Sequence, residues 1–148
     1  MRNHDQSFWS IAIPIVLIAL VAGSLSAVAA ERVVIRVPFD FVVGSTPFPP
    51  GEYALTFGVL LRDAMAIECQ DLARKAIVMT RRDPTTRTAA AGGLVRFNVY
   101  GERRFLSSVR TGAGGNREIA QSAVEAEIAK AWPTPTVADL RVEREKRP

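Results

Sequence analysis

A strict alternation of apolar and polar residues near the start of the chain is the feature that most constrains its fold. The even positions of this segment include charged side chains, and the odd positions are all apolar: Val33, Ile35, Val37, Phe39, Phe41 and Val43. A period of two over such a length predicts β-structure with one buried face. Pro38 has no backbone N–H for a ladder, so it marks either an edge position or a break between two short strands.

Further alternating segments predict more strands. Tyr53, Leu55 and Phe57 follow a Pro-Gly turn and predict a strand next to the first one. Two apolar runs between residues 64 and 79 favour strands, although their composition also suits a helix.

The clearest hairpin is predicted between residues 95–100 and 105–109. A three-residue loop places Val99 opposite Phe105 and Val95 opposite Val109, which keeps all four side chains on one apolar face. A two-residue loop mixes the faces, so the pattern favours the longer connection.

The period changes after the glycine-rich segment 112–116, which we interpret as a flexible connector. Ser122 and Glu125 then have the spacing of a capping box at the start of a helix. Residues at helical spacing form one apolar stripe, which we expect to pack against the sheet: Val124, Ile128, Ala131 and Trp132. Pro133 ends this predicted helix.

Residues 1–30 have the three-part organisation of a secretory signal peptide. A basic residue precedes the apolar run Ile11–Val21, and small residues follow as far as Ala30. This organisation directs export, and we predict cleavage after Ala29 or Ala30. The alternative is an uncleaved membrane anchor, but a spanning helix needs about 20 apolar residues and Pro14 lies within a shorter apolar core.

These patterns predict three segments. After the signal-peptide helix of residues 1–30 we expect one β-rich domain at 31–132 and a flexible tail at 133–148. The predicted fold is mainly β: an antiparallel β-sandwich or partly open barrel of about six or seven strands with one C-terminal helix.

Two absences limit the chemistry of the exported chain. The only histidine, His4, lies in the segment predicted to be removed, so the commonest general base and metal ligand is missing. Cys69 is the only cysteine and cannot form an internal disulfide. Its alternation with Met65 and Ile67 predicts a buried, inert thiol. We therefore assign no catalytic, cofactor-binding or metal-binding residue and expect no cofactor.

The charged residues offer weaker indications. The predominance of arginine over lysine suits anionic polymers or lipid headgroups, but the scattered cations favour an ordinary solvated surface. Adjacent cations include Arg74-Lys75, Arg81-Arg82 and Arg103-Arg104. The carboxylates nearest to the predicted sheet are Asp40, Asp63, Glu68, Asp71 and Glu102. Asp40 is expected to face away from the core, in a structural bond to Arg36 or to an arginine of a neighbouring strand.

Several short segments form a recognisable set: Val37–Gly44, Pro50–Tyr53, Leu94–Phe97, Tyr100-Gly101, Phe105-Leu106 and the helix start at Ser122 and Glu125. Together they resemble a family of small exported bacterial proteins of unassigned function, common in acidobacteria-like soil organisms. The similarity spans about Val33–Lys130, and its strongest part is the Val-Pro-Phe-Asp-Phe strand motif. That family often carries an Asp-Gly turn between the two middle strands, where this chain has Gln70–Ala73. The resemblance implies export and a β-rich domain.

The sequence therefore predicts an exported, non-enzymatic protein of the periplasm or the extracellular space. It would bind or organise an unidentified protein or envelope polymer, and it would meet the membrane only transiently through its signal peptide. Nucleic acid is not an expected partner, because export removes the protein from it. The alternatives are a carboxylate-dependent hydrolase or lyase using residues such as Asp40, and a membrane-anchored module if residues 1–30 are retained.

Overall fold

The computed structural model describes residues 31–58, 60–84, 92–112 and 115–142. These ranges contain ten strands and one helix, so the protein is mainly β, as predicted, but with more strands than six or seven. In chain order they are β1 (Arg32–Val37), β2 (Phe41–Val43), β3 (Thr46–Phe48), β4 (Gly51–Phe57), β5 (Ala64–Cys69), β6 (Lys75–Asp83), β7 (Gly93–Tyr100), β8 (Arg103–Thr111), β9 (Gly115–Ile119), α1 (Ala123–Ala131) and β10 (Thr136–Val142).

All ten strands belong to one open sheet. Its main path runs β1-β4-β5-β6-β9-β8-β2-β3, and β7 joins the other edge of β8 and carries β10 on its outer side. Every pair is antiparallel except β2 and β8, which run parallel. β1 and β10 approach each other, but no ladder joins them in the described part of the chain.

Pro38 separates two strands that run in different parts of the sheet. β1 pairs with β4, whereas β2 pairs with β3 and with β8. Because proline cannot donate to a ladder, the alternating segment breaks here, which decides between the two alternatives that the sequence left open. The break places Phe39 and Asp40 in the connection between the two strands.

One hydrophobic core joins the two halves of the sheet. It includes side chains from β1, β4 and β5 and also from β2, β7 and β8. Phe41 contacts three other rings in this core, with centroids 5.5, 5.0 and 5.5 Å away: Phe48, Tyr53 and Phe97. Cys69 is buried in the same core, as predicted.

The middle of the chain forms two strands, as favoured over a helix. β5 and β6 pair in an antiparallel ladder from Ala64 opposite Met79 to Glu68 opposite Lys75. Their β neighbours override the helical composition of the segment, because each strand completes a ladder with the next one.

The turn of the β7–β8 hairpin is shorter than predicted. Tyr100 lies opposite Arg103, so the connection is the two-residue turn Gly101-Glu102, and the predicted pair of Val99 with Phe105 is wrong. Gly101 has a φ of +61°, which the turns of two-residue hairpins require and which glycine adopts without steric cost.

A β-bulge restores the apolar face farther along the same hairpin. The register shifts by one residue between Arg96 and Phe97, and Ser107 Oγ donates a hydrogen bond of 3.1 Å to the Arg96 carbonyl. The extra residue reverses the alternation of the bulged strand. Val95 therefore lies opposite Val109, as predicted, despite the shorter turn.

The glycine-rich segment after β8 leads directly into a strand. β9 pairs with Ser108–Thr111 of β8 and with Thr80–Asp83 of β6, which corrects the interpretation of 112–116 as only a flexible connector. Gly115, with a φ of +73°, lies where the chain returns along β8. Residues 113–114 lie outside the described ranges.

Residues Thr136–Val142 form β10 along β7, where the sequence predicts a flexible tail. Ala138, Leu140 and Val142 pack against the core. On the outer face Asp139 accepts hydrogen bonds of 2.8 and 3.0 Å from Arg96, which lower the pKa of its carboxyl. The prediction of a flexible tail was wrong for this segment. Its charged residues suggested a solvated tail, whereas they alternate with apolar residues that face the core. Residues 143–148 lie outside the described ranges.

Helix α1 begins as predicted but packs differently. Ser122 Oγ accepts a hydrogen bond of 3.1 Å from the backbone N–H of Glu125, so the serine is the N-cap. The predicted packing of the apolar stripe against the sheet is wrong, because Val124 and Trp132 are 42% and 54% exposed.

A buried carboxylate attaches the helix to β7 instead. Glu125 is only 4% exposed, and its Oε1 accepts hydrogen bonds from Asn98 Nδ2 at 2.9 Å and from the Tyr100 hydroxyl at 3.1 Å. Burial, followed by the charge of Glu125, raises the pKa of the Tyr100 phenol. Hydrogen bonds to an ionised acceptor are about twice as strong as neutral ones, so this cluster holds α1 firmly on the outer face of the sheet.

Candidate functional site

A cleft of about 300 Å³ opens where β2 and β3 meet the β5–β6 loop and the β7–β8 turn. Its apolar wall comes from the two short strands and the residue after them: Phe41, Val42, Pro47, Phe48 and Pro49. Five charged residues complete the lining: Asp40, Arg74, Glu102, Arg103 and Arg104. We name this feature the arginine cleft.

Two of its arginines are held in place by neighbouring groups. Arg74 NH1 donates a hydrogen bond of 2.8 Å to the Pro47 carbonyl, which joins the β5–β6 loop to β3. The Arg104 guanidinium lies 4.7 Å from the ring centroid of Phe39, and that ring meets Phe97 edge-on at 5.1 Å. Since a guanidinium carries five N–H donors, both arginines keep donors for a ligand.

The third arginine of the cleft is Arg103, which is exposed. Its side chain forms no hydrogen bond and no ion pair with any described residue. In the described ranges the ion pairs are Arg36–Glu52, Arg96–Asp139 and Lys130–Glu127, all outside the cleft. Three arginines therefore line the cleft, and within the described ranges none of their side chains forms an ion pair.

Only some of the candidate carboxylates that the sequence suggested lie in the arginine cleft. Asp40 and Glu102 line the arginine cleft, whereas the other candidates, Asp63, Glu68 and Asp71, do not. Asp40 is exposed as expected, but Arg36 pairs with Glu52 at 3.7 Å. Among the described residues Asp40 forms no ion pair with Arg36 or with an arginine of a neighbouring strand, so the predicted bond is wrong in both forms.

The arginines are the residues that the sequence did not single out. Arg74 and the Arg103-Arg104 pair are far apart in the chain, and only the parallel contact of β2 with β8 and the loop after β5 bring them together. The adjacent cations were the available signal, yet a sequence pattern does not show which loops meet in space.

No protein family model matches the chain, and no curated protein or solved structure matches it at a significant level.

Tyr53 supports the apolar wall of the cleft from below. Its side chain is fully buried, and its hydroxyl donates a hydrogen bond to the Pro49 carbonyl. Burial, together with the neighbouring Cys69, raises the pKa of the Tyr53 phenol to about 12. Of the cleft residues, Arg74 lowers the pKa of this phenol and Asp40 raises it.

Alkaline pH is expected to weaken the fold through Tyr53. Below pH 10 the phenol is neutral in the folded and unfolded chain alike, so Tyr53 causes no change of the free energy of unfolding with pH there. As the pH rises from about 10 to about 12 the unfolded chain loses the proton first, and the free energy of unfolding falls by roughly 3 kcal/mol. Denaturant unfolding at a series of pH values measures this slope.

Tyr53→Phe provides the control for this prediction. The variant is expected to lose the part of the slope that belongs to Tyr53, because phenylalanine has no proton to lose. A phenolate absorbance titration of the folded protein offers a second readout, since the chain has only two tyrosines and burial raises the pKa of both. Titration of both phenols near pH 10 would contradict the prediction.

A buried arginine outside the cleft connects two parts of the sheet. Arg117 is 4% exposed and does not line the arginine cleft; its NH1 donates a hydrogen bond of 3.0 Å to the Arg62 carbonyl, and its guanidinium lies 5.0 Å from the Phe57 ring centroid. Burial lowers its pKa, followed by the charge of Arg82. It joins β9 to the β4–β5 loop.

Three further observations concern metals, membranes and export. Among the described residues, no group of three or more His, Cys, Asp or Glu side chains is arranged to hold a metal ion. The same residues include no helix that is long and apolar enough to span a membrane. The predicted signal peptide with its cleavage residues Ala29 and Ala30, and the histidine His4, lie outside the described ranges.

Proposed function

We propose that this protein is an exported, non-enzymatic binding module whose arginine cleft takes a ligand with a carboxylate or phosphate group. The observation that carries the proposal is that Arg74, Arg103 and Arg104 all line one cleft and form no ion pair among the described residues. The organisation of residues 1–30 supports export to the periplasm or beyond the cell.

The electrostatics of the cleft favour an anion. Three arginines and two carboxylates line the cleft, so the positive charges outnumber the negative ones and the site attracts an anion. Guanidinium forks bind carboxylate or phosphate through two parallel hydrogen bonds, which gives both orientation and affinity. The contact of Arg104 with Phe39 orients one such fork before any ligand arrives, so less side-chain entropy is lost on binding.

The proposal includes the finer architecture and the family expected from the sequence. A single open sheet that encloses one core supports a β-sandwich or partly open barrel. The resemblance to small exported bacterial proteins, carried by the Val-Pro-Phe-Asp-Phe motif, agrees with this architecture, because the motif spans the end of β1, the connection and the start of β2.

Arg103→Gln is expected to weaken anion binding roughly five- to tenfold, because one charge-assisted hydrogen bond is lost. The probes are inorganic phosphate and galacturonate, titrated into the protein while its amide resonances are followed by NMR. Resonances of the β2–β3 segment and the β7–β8 turn are expected to shift. Affinity is also expected to fall as ionic strength rises, since the cleft is open to solvent.

Arg32→Gln is the matched control. Arg32 is exposed in β1, and it pairs opposite Thr56, at the end of that ladder away from the Pro47–Pro49 wall. The control removes the same charge, so a general loss of net charge would weaken binding equally in both variants. Equal affinities of Arg103→Gln and Arg32→Gln, or no binding of either anion by the wild type, would refute the proposal.

A second candidate function is a carboxylate-dependent hydrolase or lyase. The observation that favours it is the presence of both Asp40 and Glu102 in the arginine cleft, since paired carboxylates can divide acid and base roles. Incubation with acidic polysaccharides tests it. Chain shortening that Asp40→Asn abolishes would support this candidate, and intact polymer after prolonged incubation would refute it.

A further inference from the structure

We infer that the ligand of the arginine cleft is an acidic polysaccharide, and that its chain continues from the cleft across the β7–β8 turn to the indole of Trp132. The inference rests on the proposed function and names the class of ligand and a second contact.

Trp132 lies beside the turn that forms one rim of the cleft. It is the C-cap of α1, and its backbone N–H donates to the Ile128 carbonyl at 3.2 Å. Its Cζ2 atom is 3.8 Å from the position that a Cβ would take on Gly101. The next residue, Glu102, lines the arginine cleft, so the indole and the cleft flank the same two-residue turn.

The register of the hairpin places Arg103 on the same side as this indole. Arg103 lies directly opposite Tyr100, and residues opposite each other in a ladder project their side chains to one face. Tyr100 contacts Glu125 of α1, so this is the face that carries the helix. Arg103 and Trp132 therefore belong to one continuous surface that begins in the cleft.

The exposure of the indole has no explanation in the packing of the core. Trp132 is 54% exposed at the end of a helix that the buried Glu125 holds in place. Tryptophan and arginine are among the residue types most enriched at the energetic centres of binding surfaces. Its apolar face can cover the C–H face of a sugar ring, while its N–H remains free to donate a hydrogen bond.

The arginine cleft and the indole together favour an acidic sugar polymer over other polyanions. Three arginines can bind the carboxylates of such a polymer, and Asp40 and Glu102 can accept hydrogen bonds from its hydroxyl groups. Polyphosphate has no C–H face for the indole of Trp132 to cover, so it lacks the second contact that a sugar polymer makes. The cleft is also concave, whereas a membrane presents a broad surface that cannot enter it.

Calorimetric titration of the full chain with polygalacturonate tests this inference. Trp132→Ala is expected to bind the polymer about tenfold more weakly than the wild type, since the truncation of a central tryptophan typically costs this much. Trp132→Phe, which keeps an aromatic face, is expected to retain most of the affinity. Leu61→Ala removes another side chain that is 61% exposed, in the β4–β5 loop, and is expected to change nothing.

The monomer separates this inference from the proposed function. Galacturonate is expected to bind Trp132→Ala and the wild type equally, because a single residue occupies only the arginine cleft. Equal polymer affinity of Trp132→Ala and the wild type, with galacturonate binding still dependent on Arg103, would overturn the inference and leave the proposed function standing. Absence of galacturonate and phosphate binding by the wild type would overturn both.

Competing ligands provide the remaining outcomes. Neutral dextran and polyphosphate are expected to bind at least tenfold more weakly than polygalacturonate, and vesicles of phosphatidylglycerol are expected not to bind in a manner that depends on Trp132. Equal binding of dextran would contradict the role of the arginines. Tighter, Trp132-dependent binding to the vesicles would identify a membrane surface as the partner and overturn the inference.

Discussion

Replacement of Phe41 by alanine is expected to lower the free energy of unfolding by about 3–5 kcal/mol, the largest effect among single substitutions considered for this chain. The Phe41 ring is 2% exposed and contacts the rings of Phe48, Tyr53 and Phe97 at centroid distances of 5.0–5.5 Å. Its loss removes apolar burial and leaves a cavity between both halves of the sheet. Urea unfolding followed by circular dichroism measures the change.

Two further variants calibrate this expectation. Phe41→Leu keeps most of the volume and is expected to cost about half as much, because a smaller cavity remains. Ile77→Ala removes a large apolar side chain from β6 that is 48% exposed, and its expected cost is below about 1 kcal/mol. A loss for Phe41→Ala no larger than that for Ile77→Ala would contradict the role of the aromatic cluster.

The position of Phe41 links stability to the site. The same residue belongs to the core and to the wall of the arginine cleft, as does Phe48. We therefore expect Phe41→Leu to bind phosphate more weakly than the wild type, even under conditions in which the variant is fully folded. The aromatic rings around Phe41 hold the β2–β3 segment in place. A cavity among them lets this segment, and the wall of the arginine cleft with it, shift.

Glu125→Ala is expected to lower the free energy of unfolding by about 2–4 kcal/mol. The substitution removes the acceptor of Asn98 Nδ2 and of the buried Tyr100 hydroxyl, and each buried donor left without a partner costs about 1–3 kcal/mol. The loss also frees α1 from β7. Thermal and urea unfolding measure the change in stability, and near-ultraviolet circular dichroism reports on Tyr100 and Trp132.

Glu127→Ala is the matched control on the same helix. Glu127 is exposed and pairs only with Lys130, at 2.6 Å; such a surface pair contributes at most about 1 kcal/mol. Glu125→Gln is expected to lie between the two, because the amide keeps an oxygen acceptor but loses the charge. Equal losses for Glu125→Ala and Glu127→Ala would show that the buried carboxylate does not hold the helix.

Strands of this protein could be predicted from the sequence where apolar residues occupy every second position. The alternation from Val33 to Val43 and from Tyr53 to Phe57 gave the correct class, since a period of two leaves few other structures possible. β10 was missed although Ala138, Leu140 and Val142 alternate in the same way. Asp139 and Arg141 of this strand are charged because they face solvent. The sequence prediction gave this charged composition more weight than the alternation of apolar residues.

The hairpin and the helix show where local patterns stop being sufficient. The turn at Gly101 and the bulge near Arg96 compensate each other, and only the packing of both strands against a common core makes that combination favourable. The apolar stripe of α1 predicted burial of Val124 and Trp132. Instead Glu125 faces β7, because Asn98 and Tyr100 offer it hydrogen bonds that no local pattern reveals.

The sequence by itself determined that the chain is mainly β, that Ser122 begins a helix and that Cys69 is buried, because each follows from local periodicity or from a cap within one turn. Only the tertiary structure decided that Arg74, Arg103, Arg104 and Asp40 line one cleft. Asp40 and Arg74 lie in separate connections and the other two residues begin β8, so their proximity depends on the order and register of the whole sheet. Contacts between distant segments are set by the packing of the core as a unit, which is why the cleft and the exposed indole beside it emerged only in three dimensions.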